Sequence, residues 1–132
     1  MAARNSPPEP AGPAISLDRL RIRADFLRAA RGIRRSQGSL TLELCRTPDE
    51  AAKPGRLRVG FTASRKVGNA VARNRAKRRL RAAAAALLPL YGRAGNDYVL
   101  VARTATLTRP YAGLLDDFAA ALQSAHDKQG GP

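Results

Sequence analysis

Arg65 to Arg81 carries eight Lys or Arg and no Asp or Glu. Arg65, Lys66, Arg73, Arg75, Lys77, Arg78 and Arg81 offer cations, and Asn69 and Asn74 offer amides. A guanidinium is a planar fork that grips phosphate through two hydrogen bonds and stacks on bases, while an amide between two arginines, as at Arg73-Asn74-Arg75, can donate and accept at base edges or 2′-hydroxyls. The chemistry is recognition of a polyanion. Residues for hydrolysis are missing: His126 is the sole histidine, and no Ser or Cys has a base partner suggested by spacing. No catalytic residue and no metal ligand is therefore assigned. Asp116-Asp117 reads as a pair of helix-start acids beside a positive dipole end, and there is no zinc spacing, Walker loop or dinucleotide glycine pattern.

These cations need a rigid carrier. At 100° per residue, Ala70 to Leu88 places Ala72, Ala76, Leu80, Ala83 and Leu87 on one stripe that must face a core. Arg73, Asn74, Lys77, Arg78 and Arg81 fall opposite, with Arg75 and Arg79 on a flank. Asn69 is a suitable N-cap, and Pro89 is expected to stop the helix after Leu88. Like charges four residues apart, as at Arg73/Lys77/Arg81, repel and do nothing for folding. A merely solvated face would mix signs, and this one does not.

The rest of the chain agrees. Its 132 residues allow one domain with a modest core. A net charge of +14 and a pI near 11.5 imply nucleic acid as partner. One cysteine excludes an internal disulfide and makes a reducing cytoplasm the expected compartment; Cys45 reads as packing. No apolar run reaches about 18 residues, so no membrane partner is expected. Residues 1–16, with Pro7, Pro8, Pro10 and Pro13, read as a disordered tail, 17–127 as a single RNA-binding domain, and 128–132 as a frayed end.

In chain order, a short helix is expected over Ala24 to Arg31, closed by Gly32. An edge strand at Ile33 to Gln37 turns at Gly38-Ser39 into Leu40 to Cys45, whose leucines share one face. Leu57 to Ser64 alternates likewise and is expected to pair antiparallel with that strand. Tyr98 to Arg103 is a continuous apolar run suited to a central strand. A last helix is expected from near Thr108, with Pro110 in its first turn and Tyr111, Leu114, Leu115, Phe118, Leu122 and Ala125 facing the core. The fold class is α+β, in the order α-β-β-β-α-β-α, with four strands in one sheet.

A single strand could cross the polar face of Arg58, Thr62 and Ser64. Phe26 suits either a base-stacking platform there or the core, and the Glu43 carboxylate would repel phosphate on that face unless a neighbouring cation pairs with it. A ribosome-associated or other structured-RNA-binding module fits the charge and size. A duplex-DNA binder fits less well, because no dimerisation element or turn-linked helix pair accompanies the basic helix.

Arg58 to Arg81, RVGFTASRKVGNAVARNRAKRRLR, resembles the signature of the bacterial ribonuclease P protein subunit, and the likeness runs loosely from Arg19 to Ala125. The resemblance implies a small α/β sandwich with a left-handed crossover through the basic helix. It implies a protein cofactor of a catalytic RNA subunit, which with Mg²⁺ bound by the RNA and none by the protein frees the mature 5′ end of precursor tRNA. Arg65, Lys66, Asn69, Arg73, Asn74, Arg75, Lys77, Arg78 and Arg81 would contact the RNA subunit. Phe26, Arg58, Thr62 and Ser64 would line a cleft for the single-stranded 5′ leader. Two residues depart from the family pattern: Ala30 stands where a second aromatic is common, and Glu43 where an uncharged or aromatic residue is expected.

Overall fold

The computed structural model describes residues 15–130. The leucine alternation produces β3 (Leu40–Arg46), joined by a tight turn to β2 (Ile33–Gln37). Gly38 makes that turn with a φ of 45° that a side chain would oppose. β4 (Arg56–Ala63) and β5 (Asn96–Ala102) complete the expected strands, and β5 is central.

The sheet has five strands in the order β1-β4-β5-β3-β2, where four were expected. The extra strand is β1 (Ser16–Arg19), which lies parallel to β4 and takes in Ser16, the last residue assigned to the tail. Four residues with two charges at a sheet edge carry too little apolar periodicity to register as a strand. Residues 1–14 of the proline-rich tail lie outside the described residues. The expected antiparallel pairing of β3 with β4 does not occur. β5 lies between them, antiparallel to β3 and parallel to β4, so each apolar strand finds its partner through the most apolar segment of the chain.

α1 (Arg23–Ala30) covers one side of the sheet; α2 (Ala70–Tyr91) and α3 (Tyr111–Gln129) cover the other. Between that helix pair and the sheet, Leu40, Leu42, Leu44, Leu57, Tyr98 and Leu100 meet Ala76, Leu80, Ala83 and Leu88 of α2 and Leu114, Phe118 and Ala125 of α3. Each fully buried Leu or Phe is worth about 1.5–3 kcal/mol, which is what fixes α2 in place. The small residues Ala76, Ala83 and Ala84 let the helix backbone approach the sheet closely.

Pro89 does not end α2, which continues to Tyr91. The acceptor it deprives is the carbonyl of Ala85, an exposed residue, and Leu88 and Gly92 anchor the last turn against Leu57. α3 begins at Tyr111, three residues later than expected, because Thr104–Leu107 forms a 3-10 turn first. Helix α3 also persists to Gln129, where a frayed end was expected from residue 128. The Gln129 side-chain amide pairs with that of Asn96, and its carbonyl accepts from Arg93.

A buried chain of contacts ties α3 to the sheet. The Arg93 amide donates to the Tyr98 hydroxyl, which lies 2.8 Å from Nε2 of His126. Burial, helped by the charge of Arg93, lowers the pKa of His126 and keeps the ring neutral. The lone histidine is a core residue.

Candidate nucleic-acid interface

The basic segment is held at its N-terminal end by three local devices. Ser64 caps the 3-10 turn Arg65–Val67 by accepting from the Lys66 amide at 3.3 Å. Gly68 follows at φ 146°, where a Cβ would lie 2.8 Å from that of Ala72. Asn69 then caps α2, its side-chain oxygen accepting from the Ala72 amide at 2.9 Å. Asn69 is therefore a structural residue, its side-chain oxygen committed to the helix cap.

The core-facing stripe is narrower at its start than periodicity suggests and shifts along the helix. Ala76, Leu80, Ala83, Ala84 and Leu88 are buried, while Ala72 and Leu87 are half-buried. Arg65, Lys66, Asn74, Arg75, Arg78 and Arg81 are exposed, and Arg73 and Lys77 half-buried. Among the described residues, none of these cations pairs with a carboxylate. The Nε of Arg73 is buried and has no hydrogen-bond partner within the protein. Arg73, Lys77 and Arg81 form a row with about 6 Å of helix rise between neighbours.

Arg79 differs from the others. Its guanidinium donates to the Thr106 carbonyl at 2.7 Å and to that of Arg109, clamping α2 to the turn that precedes α3. Nothing in the spacing of the basic run marks that role. Asp117, expected as a helix-start acid, lies in the second turn of α3. It accepts from the amide and hydroxyl of Ser39 and from Arg109, and so ties the β2–β3 turn to the helix. Burial raises its pKa, but those bonds outweigh it and the net shift is downward.

The leader-cleft residues lie on the α1 side of the sheet. Phe26 rests on Gly60, where an added Cβ would sit 2.6 Å from two ring carbons, so glycine is what seats the ring. Leu20, Ala29 and Val99 pack around it, with half-buried Cys45 and Val101. Burial, aided by Asp97, pushes the Cys45 thiol up to about 11, so it is a packing residue and not a nucleophile. Thr62 is half-buried on the same face, and Ser64 is exposed at the strand end with its oxygen committed to the cap.

Arg58 is on this face but is not free. Its Nε and Nη2 bond the two oxygens of Asp97 at 2.8 and 2.6 Å, and Nη2 lies 3.3 Å from Asp25. Arg28 reaches Asp25 at 2.8 Å. Burial raises the Asp25 pKa, and the hydrogen bonds and charges of Arg28 and Arg58 overcome it to hold the carboxyl below its ordinary value. Asp97, fully buried and missed as a site residue, is the anchor; only the spatial neighbourhood of Arg58 reveals it. Glu43 finds Arg34 across the β2–β3 register, although burial still raises its pKa. Ala30 is exposed one turn after Phe26 and leaves that position without an aromatic.

Two faces therefore back onto one sheet: unpaired cations along α2 on one side, and on the other Arg58, Arg28 and Arg34 paired with Asp97, Asp25 and Glu43. Residues 16–126 match the family model described as Ribonuclease P. The chain belongs to the ribonuclease P protein family. It is 56% identical over 108 residues to the ribonuclease P protein component of Ruegeria pomeroyi, covering 81% of this chain and 85% of that one. The corresponding protein of Paramagnetospirillum magneticum is 51% identical over 112 residues, covering 83% and 84%. Among solved structures, the Thermotoga maritima RNase P protein superposes with a TM-score of 0.66 at 21% identity over 83% of this chain and 98% of that one. The Staphylococcus aureus RNase P protein gives 0.65 at 24%, over 81% and 94%. At those identities the structural likeness speaks for the fold, and it includes the α+β architecture expected from sequence.

Proposed function

We propose that this chain is the protein cofactor of a ribonuclease P in which an RNA subunit, with Mg²⁺ that the RNA binds, cleaves precursor tRNA to give the mature 5′ end. One observation carries the reading: the cations of α2 are presented on a rigid helix and left unpaired by the carboxylates of the described residues. Two RNAs approaching each other repel. A fixed row of cations lowers that repulsion without first giving up internal ion pairs, and placing Arg73, Asn74 and Arg75 at the centre allows bidentate phosphate grips beside an amide that reads sugar or base. Arg65, Lys66, Asn69, Lys77, Arg78 and Arg81 extend the contact to the RNA subunit.

The sheet face of Phe26, Gly60 and Thr62 suits the single-stranded leader, with Ser64 at its end. Arg58 serves there by fixing α1 to the sheet through Asp25 and Asp97, since its charge is already neutralised. Leader binding in this chain then rests on stacking against Phe26 and on hydrogen bonds, with Ala30 offering no second platform.

The test is cleavage of a precursor tRNA by the RNA subunit at limiting Mg²⁺. The chain alone should be inactive, and adding it should raise the rate. Failure to stimulate any such RNA at any Mg²⁺ concentration would remove the proposal.

A further inference from the structure

On the α2 side, Arg19 of β1 and Arg81 of α2 converge on one aromatic ring. Their guanidinium carbons lie 5.5 and 5.7 Å from the Phe61 centroid. Both residues are exposed, and among the described residues neither pairs with a carboxylate. Asp18, next to Arg19, is taken by Arg56 at 3.0 Å. Between the two arginines is a hollow of about 170 Å³ lined by Leu17, Val59, Ala84 and Ala85 and also by Asp18, whose carboxylate is the one paired with Arg56. Two like charges brought to one ring repel each other, and the ring's negative face only partly offsets this. An anion between them would relieve it.

We infer that Arg19 and Arg81 form a clamp for one backbone phosphate of the RNA subunit, with the adjoining sugar over the apolar residues of the hollow. This rests on the RNA-binding reading of α2 and extends it to a strand at the sheet edge. Orientation selects the RNA. Phe61 faces α2, whereas its neighbours Gly60 and Thr62 face Phe26, so the clamp and the leader face are on opposite sides of β4. The clamp continues the row of Arg73, Lys77 and Arg81. Phe61 holds both guanidiniums near the place where the phosphate arrives, which reduces the side-chain ordering that binding must impose.

The experiment measures affinity of the full chain for the ribonuclease P RNA of the same genome, transcribed in vitro, across a salt series. Arg19→Gln should weaken binding about fivefold and reduce the log–log salt slope by about 0.7–0.9, one phosphate's worth. Arg19→Lys should restore the slope, and Arg81→Gln should resemble Arg19→Gln. The double variant should lose little more slope than either single one, because both residues hold the same phosphate. Thermal unfolding of each variant checks that the fold is kept.

Unchanged affinity and slope in Arg19→Gln, alongside clear weakening in Arg73→Gln, would overturn the clamp and leave the α2 reading standing. No effect from Arg19→Gln, Arg81→Gln, Arg73→Gln or Arg75→Gln would overturn both. A slope loss in the double variant equal to two phosphates would also overturn the shared clamp. So would an effect of Arg19→Gln confined to complexes whose precursor tRNA carries a leader, since that would assign the residue to the leader.

Discussion

On the α1 side of the sheet, Arg58 spans Asp97 and Asp25, Arg28 joins Asp25, and Arg34 holds Glu43. Along α2 and the 3-10 turn before it, by contrast, Arg65, Lys66, Arg73, Arg75, Lys77, Arg78 and Arg81 have no carboxylate partner among the described residues. Both regions are rich in arginine, so composition does not separate them. What separates Arg28, Arg34 and Arg58 from the α2 row is an internal counter-charge, which exposed Arg21, Arg23 and Arg31 beside α1 also lack among the described residues. An arginine with an internal partner works for the fold, and replacing it should cost stability. On the proposed function, the α2 cations without such a partner serve a ligand, and replacing them should cost binding while leaving the fold alone or easing its self-repulsion.

The largest effect should follow from breaking the internal pair. Asp97→Asn keeps the shape of a fully buried side chain but leaves Arg58, only 17% exposed, without its main counter-charge. Removing one partner of a buried pair typically costs about 3–5 kcal/mol, and part of that range is expected here because Asp25 remains near Arg58. Urea unfolding at neutral pH measures it. A loss below about 1 kcal/mol would mean the pair does not fix α1 to the sheet.

A smaller effect should appear on acidification, in two steps. His126 has an ordinary pKa of 6.5 that burial lowers in the folded chain, so the unfolded chain takes up the proton first. Its contribution is complete above pH 6.5 and is lost as the pH falls from there through the lower folded value. Asp25 and Asp117 have folded pKa values below the ordinary 3.8, so their contribution is kept above 3.8 and lost as the pH falls through their folded values. Glu43, raised by burial, works in the opposite direction near its ordinary value of 4.5. Thermal midpoints across pH should show the first step in the native chain and lose it in His126→Gln. A first step that survives in that variant would assign it to another group.

How much of this could be read from sequence follows the same division. The α2 helix, its Asn69 cap, the β2–β3 turn and the central position of β5 were legible because each depends on local periodicity or turn chemistry. The strand pairing was not, since it depends on which apolar segment outcompetes the others for the centre of the sheet. β1 was missed for want of length, and its Arg19 with it. Pro89 misled because its steric rule is local, while Leu88 and Gly92 pack against a distant strand. In the candidate site, the cations of α2 were legible as a run of one sign. That Arg58 and Arg79 are held by Asp97 and by the carbonyls of Thr106 and Arg109 was not, because those partners lie 27–39 residues away in the chain.

The central claim is that the α2 cations are reserved for an external polyanion, and the most direct measurement of it pairs two readings on one variant. Arg73→Gln/Arg75→Gln should bind the ribonuclease P RNA subunit at least about tenfold more weakly, with a salt slope shallower by about 1.4–1.8, while its unfolding free energy stays within about 0.5 kcal/mol of the native chain. An unchanged slope together with a marked loss of stability would show that these arginines serve the fold, and would contradict the account.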